Sequence, residues 1–406
     1  MTIHIQKAKR TLRCFFVLAA LAVFVSFYSG CSGGNNSGKA IHSKNGIQWL
    51  TFRGNTPESA GQTKDTIKPP LAELWTFKAE DEIRSSPVLS QGVLVFGSND
   101  NNIYGVNPDN GELIWKYKTG DVVIASPLIY NGKVYVGSFD RVMYEIDLKT
   151  GDLLRKYDTT TKRNENRAKS PAEMGCAINS AAATDGNNIY FGCNDKNIYA
   201  VGLDTFKPLW VYKTLDWVEA GPLAAGGRVY CGSDDGNLYA LDASSGIPIW
   251  NFQTGNAVYS TPALKNGILY FSSWDGYVYA LNAENGTQLW KTKIDEQASA
   301  SPAIAGNRLI VGGMFDGNLT ALDIITGKIL WRMPTQGGFD AGAVISGNIA
   351  YVGSMDNYFY AMNVETGKPA WKMLLKGVIR GSSAVANGAV YVGTRRGELH
   401  AFAPVK

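Results

Sequence analysis

A segment of about forty residues recurs from Ser85 to the C-terminus, and that period leaves few folds open. One copy, residues 126–155, reads SPLIYNGKVYVGSFDRVMYEIDLKTGDLLR. The copies close at Trp115, Arg155, Trp210, Trp250, Trp290, Trp331 and Trp371, in steps of 40, 55, 40, 40, 41 and 40. An eighth copy runs out before its tryptophan. Within each copy, a small apolar segment after Ser-Pro suits an inner strand near an axis. A turn such as Asn131-Gly132 or Asn266-Gly267 tolerates positive φ and makes a hairpin. KVYVGS alternates with period two as a second strand, an Asp-Gly-type turn leads to a third such as LYALDA, and a fourth opens on the tryptophan.

Four antiparallel strands per copy, repeated radially, predict an all-β, eight-bladed propeller. The fourth strand missing from the last copy is supplied at the other end by LWTFK, residues 74–78, because Trp75 stands 40 residues before Trp115. That strand completes the last blade and leaves no free edge in the ring. Trp75, Trp115, Trp210, Trp250, Trp290, Trp331 and Trp371 are therefore expected between blades as structural residues. Full burial would stabilise by at most about 4–6 kcal/mol each. Arg155 breaks the series, which predicts the weakest seam there.

Ahead of the ring, Lys7, Lys9, Arg10 and Arg13 precede an apolar run from Cys14 to Tyr28, then Ser29-Gly30-Cys31. A charged start, a short apolar core and small residues at the cut predict a signal peptide over 1–30. The Ser-Gly-Cys ending resembles the bacterial lipobox, which implies Cys31 as the lipidated first mature residue. Residues 31–46 then form the lipidated cysteine and a flexible polar tether, and 47–406 the propeller, with an insertion at 159–175. Ser32 in place of Asp favours the outer membrane, facing the periplasm, under the enterobacterial sorting rule. The first thirty residues hold four basic and no acidic residues, so 39 − 4 = 35 basic side chains balance 35 acidic ones in the remainder. This balance gives no reason to expect nucleic acid as a partner.

Beyond Cys14 and Cys31 the cysteines are Cys176, Cys193 and Cys231, an odd, scattered set expected as small core residues rather than a disulfide framework or zinc site. Histidines occur at positions 4, 42 and 400 only, and His400 falls on a third strand as a surface or seam residue. No nucleophile–base pairing, metal-ligand spacing or glycine-rich phosphate loop is present, so catalytic and metal-binding residues are expected to be none. The recurring acids Asp100, Asp140, Asp195, Asp234, Asp275, Asp316 and Asp356 are assigned to capping their own turns rather than to calcium.

What remains is the face where first strands begin. Arg84, Ile124, Asn179, Glu219, Tyr259, Ser299, Asp340 and Arg380 come just before those strands; the turns add Phe139, Arg141, Trp274, Phe315, Arg395 and Arg396. Trp217 and Phe339 are loop aromatics outside the tryptophan register. From these, Arg84, Arg141, Glu219, Trp274, Asp340, Arg380, Arg395 and Arg396 form the expected partner-binding rim, since aromatic and arginine side chains suit a protein interface.

The run A-x-D-x-x-T-G-x-x-x-W, seen with small variations at residues 240–250, 321–331 and 361–371, resembles the PQQ-type propeller repeat, and W-x-x-F-R-G-N at 49–55 is similar to the opening of that family. Two branches share the repeat. The quinoprotein dehydrogenases hold PQQ and calcium in the channel and carry a vicinal cysteine pair, which this chain lacks. The lipid-anchored BamB-type scaffolds match its size, lipobox and blade number better. That resemblance implies no cofactor, a non-enzymatic role, a monomeric propeller within a complex, and a BamA-type barrel-assembly protein as partner. An oxidoreductase-like propeller holding PQQ with calcium, or a sensor of polysaccharides or small ligands using aromatics such as Trp274, are the alternative readings.

Overall fold

The computed structural model describes residues 48–52, 54, 61–160 and 177–405. Among these the structure is all strand and turn. Eight antiparallel sheets, each built on four strands, form the blades of a closed ring. Blade 1 comprises Val88–Ser90, Val93–Gly97, Asn102–Val106 and Leu113–Lys118. Blades 2 to 7 begin at Leu128, Ala183, Leu223, Ala263, Ala303 and Val344. In blade 8, the strands Ala384–Ala386, Ala389–Gly393 and Glu398–Pro404 are completed by the N-terminal strand Leu71–Lys78, with Trp75 opposite Ala401. The closing strand starts at Leu71, before the expected Leu74. His400 lies in this closure, buried, with Nδ1 at 2.6 Å from Glu73 Oε1 and 3.0 Å from Thr76 Oγ1.

The blades are joined by one device repeated. The indole Nε1 of six of the seven outer-strand tryptophans donates to a backbone carbonyl of the following blade, among them Trp75 to Pro108 at 3.0 Å, Trp115 to Leu148 at 2.9 Å, Trp210 to Ala243 at 2.9 Å and Trp331 to Val364 at 3.0 Å. The face of the ring carries a glycine of the next blade. At Gly246, φ is +71° and a Cβ would come within 2.6 Å of the Trp210 indole, so both the turn and the packing require glycine. Trp115 and Trp210 are buried, but Trp75, Trp250, Trp290, Trp331 and Trp371 are only half-buried. The expectation of burial between blades holds for Trp115 and Trp210 and is corrected for the other five, which keep one edge in water.

The Arg155 seam differs from what the missing tryptophan suggested. Arg155 pairs with Glu145, whose side chain is 0% exposed, and its terminal nitrogens donate to Leu203 O and Asp204 O at 2.7 Å in blade 3. Its guanidinium lies 4.9 Å from the Phe206 ring centroid. Glu145 occupies the place of Gly105 and Ala240, which sit under tryptophans in their blades, and Phe206 occupies that of Gly246. Three substitutions thus act together, and the gap is filled by charge and hydrogen bonds.

The turn aspartates are also interlocking. Asp100 accepts from Asn102 N, from Tyr104 Oη at 2.7 Å, and from Glu80 N across the seam at 3.0 Å. In blade 4 the residue in this role is Asp235, not Asp234. In blade 6, Asp316 caps nothing; Asp295 accepts its backbone N–H instead. Cys193 and Cys231 are buried, each in the second strand of its blade. The signal segment, Cys31, the tether, Cys176 and nearly all of the insertion lie outside the described residues.

Residues 48–67 decide what the ring can hold. Trp49 exchanges two backbone hydrogen bonds with Leu89, at 2.8 and 2.7 Å, running antiparallel to the innermost strand of blade 1. Gln62 and Thr63 then run parallel to the innermost strand of blade 7, opposite Ile345 and Ser346. The two described arms therefore run in opposite directions along the channel. Trp49 and Ile67 are buried, and Tyr351 Oη donates to Ile67 O at 3.1 Å to hold the returning arm. Both arms pack against inner strands, those of blades 1 and 7.

Candidate functional site: the mouth of the ring

Each inner strand starts on the same face, and the second-to-third-strand turns come back to it. In every blade, one turn residue donates its backbone N–H to the segment leading into the inner strand: Asn99 to Glu82 O, Asp234 to Trp217 O, Trp274 to Ala257 O, Arg395 to Val378 O, all at 2.9 Å. This places two concentric rings of side chains around the axis. The inner ring is the octet from Arg84 to Arg380, and all eight line one cavity of about 340 Å³. Trp274 and Met314 add to its wall from the second ring. Phe52, from the channel segment, also lines it.

The charges are sorted around this mouth. On the side of blades 7, 8 and 1, Arg380 Nη1 is 3.6 Å from Asp340 Oδ2, and Ser299 Oγ donates to Asp340 Oδ1 at 3.0 Å. Burial and the adjacent Arg380 lower the pKa of Arg84. On the side of blades 3 to 5, Asn194 Nδ2 donates to Glu219 Oε1 at 3.1 Å and Tyr259 Oη donates to Asp234 Oδ2 at 3.3 Å. Burial, and then repulsion from Glu219, push Asp234 up to about 7. Tyr259 and Trp274 meet edge to face, centroids 4.9 Å apart.

Of the rim residues expected from sequence, Arg84, Glu219, Trp274, Asp340 and Arg380 are brought together here. Arg395 and Arg396 line a separate groove between blades 7 and 8, where Arg395 Nε is 2.9 Å from Glu82 Oε2. Arg141 lines neither and holds its turn at φ +75°. Phe339 lies in a loop as expected but is buried against Gly312 and belongs to the core rather than to the rim, whereas Trp217 is partly exposed. Asp234 was assigned to a turn cap. The doubled acid Asp234-Asp235 was the available signal, since one aspartate suffices for the cap. Phe52 belongs to an apolar patch, with Ile47, Trp49 and Leu50, that has to dock on the ring, but it enters from a segment outside the repeat, so no register showed where.

The family model for the outer membrane protein assembly factor BamB matches residues 71–216, 194–335 and 315–405, nearly the whole ring. The chain belongs to this family. Among solved structures it is similar to BamB from Moraxella catarrhalis, with TM-score 0.68 and 19% identity over 82% of this chain and 98% of that one. It is also similar to a europium-containing methanol dehydrogenase, TM-score 0.74, 13% identity, covering 89% and 99%. The quinohemoprotein alcohol dehydrogenase from Comamonas testosteroni gives TM-score 0.75 at 13% identity, covering 91% and 84%. At such identities these likenesses show the shared propeller fold. A sequence search of the curated proteins returns no match.

The dehydrogenase likeness raises the question of a quinone held with calcium. Among the described residues no three His, Cys, Asp or Glu side chains converge on a point where they could share a cation. Cys193 and Cys231 lie in different blades, so no vicinal pair overhangs the mouth. The residues present do not fit that cofactor set.

Proposed function

We propose that this protein is a non-enzymatic, lipid-anchored scaffold of the bacterial outer membrane, facing the periplasm and acting in the assembly of β-barrel outer-membrane proteins. The observation that carries this reading is the match of the BamB family model to 71–405. The mouth face supports it. Leu215 and Phe315, 78% and 73% exposed, stand with Trp217 on the same face as the charged mouth. Apolar side chains beside arginines and acids suit a protein partner, and the family resemblance implies a BamA-type barrel-inserting protein. The rigid ring positions these groups, and binding rests on shape and hydrogen bonds.

The test is in-cell photo-crosslinking. A photoreactive residue at Trp217 or Phe315 is expected to capture the barrel-inserting protein, and one at Ile325, exposed on the opposite face, is not. Capture of no such protein from any position, in membranes with the machinery intact, refutes the reading.

A further inference from the structure

The mouth carries two arginines on one side, with a single carboxylate in ion-pair distance of one of them, and two acids on the other. Arg84 and Arg380 belong to adjacent blades 1 and 8, and share one carboxylate, Asp340, through Arg380 at 3.6 Å. The Nε atoms of both arginines are buried with no acceptor. Burying a cation without full pairing is unfavourable, so this side is complementary to an anion with two or more acceptor oxygens at the open ends of the guanidinium groups. Glu219 and Asp234 stand in blade 4, diametrically across an eight-bladed ring from blade 8. They receive hydrogen bonds only from the neutral groups of Asn194 and Tyr259, and no cation pairs with either among the described residues. Asp234 Oδ1 and the adjacent Trp274 Nε1 are buried without partners. Paired carboxylates next to an aromatic pair are complementary to an ammonium group.

We infer that the mouth binds a short peptide with free termini, its carboxylate on Arg84 and Arg380 and its ammonium against Glu219, Tyr259 and Trp274, with Asp234, hydrogen-bonded to Tyr259, adding negative charge behind them. The cavity volume, about 340 Å³, is that of a small-ligand site and falls at the low end of the usual range of about 300–1,000 Å³. A site presenting both charges within one such cavity selects a ligand carrying both, which a protein offering a single terminus does not. This inference is independent of partner docking on the outer rim and adds a ligand to the centre of the same face.

The test is calorimetric titration of the purified full-length lipoprotein in detergent with trialanine, N-acetyl-trialanine and trialanine amide. Trialanine is expected to bind, and each capped form to bind at least about tenfold more weakly. Arg380→Gln is expected to remove the discrimination against the amide while keeping that against the acetyl form, and Glu219→Gln the reverse. Equal binding of the three peptides by the unmodified protein, or no binding of trialanine at millimolar concentration, overturns the inference without recourse to any variant. Because no partner is present, failure here is distinct from failure of the crosslinking test.

Discussion

Replacing Arg155 by Ala tests the idea that one seam of the ring is held by charge. Glu145 is fully buried, and its neutralisation comes from Arg155, from Lys133 at 2.7 Å and from the Tyr135 hydroxyl at 3.2 Å. Removing one member of a buried ion pair costs about 3–5 kcal/mol, because the remaining charge stays desolvated. Arg155 is 30% exposed and Lys133 remains, so the lower end, about 3 kcal/mol, is expected. With an unfolding entropy of about 2.1 cal/mol/K per residue over the ring, this lowers the thermal midpoint by about 4 °C. Burial alone would raise the pKa of Glu145, but hydrogen bonds from Arg155 and Lys133 hold it below the usual range. Its contribution is present above the unfolded pKa and lost as pH falls through the folded one, so Arg155→Ala should bring acid unfolding on at higher pH. The triple change Arg155→Trp, Glu145→Ala and Phe206→Gly rebuilds the seam found elsewhere and should restore or exceed the original midpoint. Arg155→Trp alone should lower it, because the indole would meet Glu145 and Phe206. Urea and thermal unfolding of the single, double and triple variants measures the coupling. Additive effects of the three changes would refute the compensated seam.

Other expectations follow from single contacts. Trp290→Ala removes an indole that donates to Ile324 O at 3.3 Å and underlies Gly327; being half-buried, it should cost about 3 kcal/mol by urea unfolding, and normal stability would contradict its role in the seam. Asp234 has a folded pKa raised to about 7, so its charge opposes folding above its unfolded pKa and ceases to matter below it. Asp234→Asn should therefore raise the thermal midpoint at pH 8, with the gain vanishing toward pH 4; a gain independent of pH would place the effect elsewhere. The pair Arg380→Glu and Arg396→Glu should reduce crosslinking to the barrel-assembly partner while leaving the protein folded: Arg396 is exposed, and loss of Arg380 removes repulsion on Arg84 along with its pairing to Asp340. Unfolding of that double variant would make those arginines structural.

The repeat fixed the blade number, the four-strand plan and the closing strand from sequence alone, because each blade buries its apolar faces only against copies of itself. The inner octet was legible for the same reason: a position defined by the repeat returns to the same radius eight times. Three matters were decided only by tertiary structure. A break in the tryptophan series looked like a weak seam, because Glu145 and Phe206 meet Arg155 from a strand pairing and from the next blade. Asp234 looked like a turn cap, because only the fold shows Asp235 bonding to Tyr239 and leaving its neighbour free to face Glu219. The channel segment lies outside the repeat, so no register predicted where Trp49 and Phe52 would dock. Periodicity specifies what each blade must do alike; the contacts that make this ring particular join residues far apart in sequence, and no local pattern records them.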